Sequence, residues 1–198
     1  MKTLITAIVV KIATIYNVCE AFFSAWGKKP EADVAEKESE CSPKNDKSLE
    51  KLGTRDLCME LLKRSDFSFE INEEGGIVVP FDADFSLLIN TSNESLFVKI
   101  WDWNWDDIDA DDIDGMSGCR QLINEFNGRK LSSNLFYVYD FNDNNKMCVR
   151  SCMKFLLMPE IPDVKSYFLD HISTLLYSHK EFAQQLEQLR ENSTDKQH

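Results

Sequence analysis

The chain has 198 residues and a formal charge of −12, from 34 acidic and 22 basic residues. That acidity argues against a role tracking a nucleic-acid backbone, which needs a basic face; its plain use is solubility. With 43% hydrophobic and 28% charged residues, the length suits one packed domain plus an appendage.

Residues 1–26 are an apolar N-terminal segment. Leu4, Ile5, Ile8, Val9, Val10, Ile12, Ile15, Val18, Phe22, Phe23 and Trp26 are dense enough for a membrane helix of about 20 residues. Lys11 and Glu20 interrupt it, and a central Lys costs about 3 kcal/mol on insertion. Three readings stand: a weak span or uncleaved anchor, with Trp26 at the interface; a cleaved export signal with Lys2 as its basic start; and an interfacial or partner-binding helix. The anchor reading leads, and it makes the protein membrane-associated; the others leave it exported to the periplasm or cytoplasmic. Residues 27–53 are rich in Lys, Glu, Ser, Pro and Asp and hold no aromatic residue, so they read as a flexible linker.

A globular domain is expected over 54–190, followed by a polar tail over 191–198. Thr54 reads as a helix N-cap, with Asp56 in the first turn and Leu57, Cys58, Leu61 and Leu62 as the apolar stripe. Phe67, Phe69 and Ile71 alternate as an extended lead-in to the Asn72–Gly76 turn. Strands follow at Ile77–Val79, ended by Pro80, at Phe85–Thr91 and at Leu96–Trp103. In the third, Leu96, Val98 and Ile100 point one way and Phe97, Lys99, Trp101 and Trp103 the other. That second face, with Trp105 beyond it, is the candidate partner-binding surface if no second layer covers it.

The acidic run Asp106, Asp107, Asp109, Asp111, Asp112 and Asp114 reads as a loop ahead of a helix over 115–127, whose dipole favours acids there. Asp107, Asp109 and Asp111 also fit positions 1, 3 and 5 of a calcium loop of the EF-hand type. Position 6, however, is Asp112 rather than Gly, and position 12 is Gly118 rather than Glu. The helix carries Met116, Cys119, Leu122, Ile123 and Phe126 at helical spacing and ends at Asn127-Gly128. A hairpin of strands at Leu135–Phe141 and Met147–Leu157 leads to a final helix from Asp163 to about Arg190. Its apolar side holds Val164, Phe168, Ile172, Leu175, Leu176, Ala183, Leu186 and Leu189.

None of the six cysteines forms a CxxC pair, so zinc-ribbon and thioredoxin chemistry lack their residues. Cys148 and Cys152 share a strand face about 13 Å apart, too far for a disulfide. His171 and His179 read as helix-surface residues, without an HExxH or a carboxylate partner in sequence. There is no GxSxG and no phosphate loop, and no residue is assigned as catalytic or cofactor-binding.

The Gly75-Gly76-Ile77 turn into a strand, the Asn124-Glu125-Phe126-Asn127 helix end and the long last helix after a strand hairpin resemble the YbjN family of bacterial proteins. In fold these are similar to type III secretion chaperones. The resemblance implies an α+β fold in the order helix, three strands, helix, two strands, helix, with an antiparallel sheet packed against the helices. It further implies a protein partner or client, a homodimer as a frequent state, and regulation or chaperone-like holding rather than catalysis. The reading is therefore a non-enzymatic, membrane-tethered protein-interaction module without cofactor or nucleic acid. Its rival is an acid-rich calcium-binding envelope protein.

Overall fold

The structure, a computed structural model, describes residues 48–81, 85–128, 135–141 and 145–195, without the side chains of 103–105, 135–141 and 192–195. The apolar segment Leu4–Trp26, most of the linker, Cys19 and Cys41 lie outside the described residues. Among the described residues no helix is long and apolar enough to cross a membrane.

The elements follow the chain as α1 (Thr54–Lys63), β1 (Glu70–Ile71), β2 (Ile77–Pro80), β3 (Ser86–Asn90), β4 (Phe97–Asp109), α2 (Ile113–Gly128), β5 (Leu135–Phe141), β6 (Lys146–Leu156) and α3 (Val164–Asp195). The fold is α+β, as expected. Among the described residues it adds β1, a two-residue strand in the extended lead-in to the Asn72–Gly76 turn. All pairings are antiparallel, in the order β1-β2-β3-β4-β6-β5. The β1–β2 turn needs its glycine: Gly75 sits at φ 83°, while Asn72 receives Gly76 N–H on its side-chain Oδ1 at 2.7 Å.

The three described helices pack on one sheet face. Alternation buries Ile77, Val79, Leu87, Ile89, Val98, Ile100, Met153 and Phe155 there, against Leu57, Leu61 and Leu62 of α1 and Phe168, Ile172 and Leu175 of α3. A second cluster joins Ile108, Met147 and Val149 to Leu122, Ile123 and Phe126 of α2 and Phe182 and Leu186 of α3. The 32-residue α3, about 48 Å long, spans both clusters. The packed body also reaches back to Leu49, which is buried in the first cluster although it precedes Thr54.

The N-terminus of α1 departs from expectation. Gly53 is its N-cap, and Thr54 turns inward to donate its hydroxyl to Leu157 C=O. The first turn is instead closed by Asn93 of the β3–β4 loop, whose Oδ1 accepts from Asp56 N–H and whose Nδ2 donates to the Asp56 carboxylate, both at 3.0 Å. Gly53 makes room for this: a Cβ there would lie 2.5 Å from Asn93 Cβ.

The acidic run is another correction, because β4 continues through it. Asp106, Asp107 and Asp109 lie within the strand, and only Asp111, Asp112 and Asp114 follow it. Between Asp102↔Ser151 and Asp106↔Val149 the strand advances four residues against two in β6, a bulge that keeps Asp106 and Ile108 on the helix side. Asp106 is met there by Arg190 of α3 at 3.0 Å. Asp112 caps α2, its Oδ1 accepting from Gly115 N–H at 2.9 Å.

Cys58, Cys119, Cys148 and Cys152 are buried free thiols. Burial pushes Cys58 up from 9.0 to about 12, and Cys119 likewise to about 12, with Asp106 adding to the burial effect. Since the folded thiols hold their protons where the unfolded ones have lost them, their stabilising contribution is complete below pH 9.0 and declines as pH rises towards about 12. Urea midpoints measured across that window should fall steadily. A flat profile would mean these thiols ionise freely in the folded chain.

Candidate functional site

Two arrangements concentrate polar and aromatic side chains, one on the sheet face away from the described helices and one inside the core. The first follows from alternation. With all the described helices on one side, Val78 of β2, Leu88 of β3, Trp101 of β4 and Cys152 of β6 form a row across the opposite face, each paired with the next. Asn90, Lys99 and Lys154 make the adjoining row, and Phe97 stands opposite Leu156 beyond it. Phe97 is 48% exposed and Trp101 is half-buried. Lys99 Nζ lies 4.0 Å from the Trp101 ring centre, and Lys154 Nζ lies 4.6 Å from that of Phe97. An apolar row flanked by cations, on a face that none of the described helices covers, has the make-up of a contact surface.

Of the residues expected there, Phe97 and Trp101 are thus placed together on the outer face. Trp103 and Trp105 lie in the bulge of β4, with side chains outside the description. Asp107 and Asp109 also point outward but beyond the bulge, and Asp109 faces Lys146 at 3.7 Å. Asp111 is exposed in the following turn. Among the described residues, no group of three His, Cys, Asp or Glu side chains is placed to hold a metal ion.

The core arrangement was not anticipated. His179, read as a surface residue, is fully buried, and its Nδ1–H donates to Asp102 Oδ2 at 2.7 Å. Ser151 is the cross-strand partner of Asp102 and equally buried. The three form a polar rung between the two apolar clusters, with the Phe85 ring 5.7 Å from the imidazole. The clue in the sequence is that His179 occupies the α3 stripe between Leu176 and Phe182, and Asp102 continues the inward series Val98, Ile100. Serine, histidine and aspartate are also the residue types of a hydrolase triad. Ser151 Oγ nevertheless has no hydrogen-bond partner among the described residues, and all three side chains are closed to solvent. The nucleophile–base contact and the substrate access that a triad requires are not built here.

His171 is half-buried and stacks on Phe155, ring centres 4.1 Å apart, while its Nδ1 meets Tyr167 C=O at 2.8 Å.

No protein-family model matches the chain, and no curated protein matches it. Among solved structures it is similar to the crystal structure of YbjN from E. coli, a protein put forward as a transcription regulator. Identity is 12% and the TM-score 0.49, over 71% of this chain and 92% of that one. That protein bears the name of the family that the strand-entry turn and helix end resemble. At this level of overlap, the likeness transfers neither activity nor residue roles.

Proposed function

We propose that this chain is a non-enzymatic interaction module, regulatory or chaperone-like, that docks a polypeptide partner on the outer face of its sheet. The observation that carries the reading is the one-sided packing. Every described helix covers the same face, leaving Phe97, Trp101, Leu88 and Leu156 on the other with lysines at their border. Rings held on a rigid sheet need little ordering on association, which favours their use as anchors. The apolar sequence of residues 4–26 supports a membrane tether for the module.

The test is affinity purification of the full chain from both solubilised membranes and the soluble fraction, beside a Phe97→Ser/Trp101→Ser variant. The expected result is a stoichiometric polypeptide retained by the parent chain and lost by the variant, with the parent recovered mainly from membranes. Equal retention by the variant would refute the docking face. Recovery from the soluble fraction alone would refute the tether.

A further inference from the structure

Lys99 and Lys154 are direct cross-strand partners on the outer face. Like charges in that relation repel and weaken a sheet. In a chain with 34 acidic residues, the simple remedy would be a neighbouring carboxylate. Neither lysine makes an ion pair among the described residues, and neither has an interaction there beyond its ring contact and its field on the Cys152 thiol. Each ammonium lies instead over an aromatic ring, an arrangement that holds the two heads at the surface and leaves their charge unneutralised. Both act on the same spot: burial pushes the Cys152 thiol up to about 11, and Lys99 and Lys154 both pull against that rise. A local conflict of this kind, uncompensated among the described residues, is what a binding site leaves when its ligand supplies the missing partner.

We propose that Lys99 and Lys154 form an anion clamp for the carboxylates of an acidic polypeptide segment lying across the outer face, its apolar side chains seated on Phe97, Trp101 and Leu156. The inference rests on the docking reading of this face and gives its partner a chemistry. Charge complementarity carries the choice: two cations on paired residues, each over a ring and without an ion pair among the described residues, suit a segment in which acids alternate with aromatic or aliphatic residues. A nucleic-acid strand would also bring anions and stacking groups, but its continuous phosphate charge is opposed by the −12 of the chain.

The experiment titrates the full chain with three fluorescent probes: a short synthetic peptide alternating Glu with Phe, the same peptide with Gln for Glu, and oligothymidylate. The Glu peptide should bind more tightly than the Gln peptide by about tenfold at low salt, the gap closing as salt is raised. Lys99→Gln/Lys154→Gln should abolish that gap without lowering the thermal midpoint, since it relieves the cross-strand repulsion, and should leave the Gln-peptide affinity in place. Phe97→Ser should weaken both peptides together. Equal binding of the two peptides to the parent chain, or a gap that survives the lysine variant, overturns the clamp and leaves the docking face standing. Binding of neither peptide overturns both, and tighter binding of oligothymidylate overturns the choice of partner.

Discussion

Asp102→Ala and His179→Ala each lower the stability of the chain by roughly 3–5 kcal/mol in urea or thermal unfolding. The two side chains are fully buried and joined by a 2.7 Å hydrogen bond at the seam between the apolar clusters. Removing one strands its partner where water cannot replace it, and that desolvation cost sets the size of the effect. Asp102 has more at stake than one bond. It is the last residue in register before the bulge, and its second oxygen already lacks a partner among the described residues. Replacing both, as Asp102→Val with His179→Leu, removes the buried polar groups altogether and should recover most of the loss. A double-mutant cycle must therefore show strong coupling. Additive losses would mean that the two residues act independently, and that the rung is not a unit.

Phe168→Ala is the second large effect, a loss of about 3–5 kcal/mol. The ring is fully buried in the first cluster, its centre 6.3 Å from that of Phe155, and α3 holds it over the sheet. Neighbours fixed in one sheet and one long helix cannot close the void, so the cavity cost adds to the lost burial. Phe97→Ser is the control: the same residue type stands on the opposite face of the sheet, half-exposed, and should shift stability by only about 0.5 kcal/mol. Thermal midpoints separate the cases readily, since each kcal/mol moves a chain of this size by roughly 2–4 °C.

The regular elements were legible because their apolar residues alternate or recur as one buried face requires. Phe85, Leu87 and Ile89, and Val98 and Ile100, are the residues that meet the helices, and the α2 stripe is buried at Cys119, Leu122, Ile123 and Phe126. Three kinds of feature were not legible. Local composition misled at Asp106–Asp109, where aspartates favour loops, yet the long β6 holds the strand and lets Asp107 and Asp109 face water. Distant partners replaced local ones at α1, where Asn93 closes the helix end that Thr54 was expected to cap. Cross-strand register, which no single strand contains, brings Lys99 beside Lys154 and Asp102 beside Ser151. The outer aromatic face, with Lys99 among its rings, could be read from β4 alone, but Lys154 opposite Lys99 could not.

Backbone amide shifts of the full chain, recorded while the Glu–Phe peptide is added, locate the docking face most directly. Perturbations gathered on Leu88, Phe97, Lys99, Trp101, Lys154 and Leu156, with α1 and α3 unmoved, are the expected result. Perturbations gathered on the helices, with β4 and β6 silent on their outer side, would contradict it.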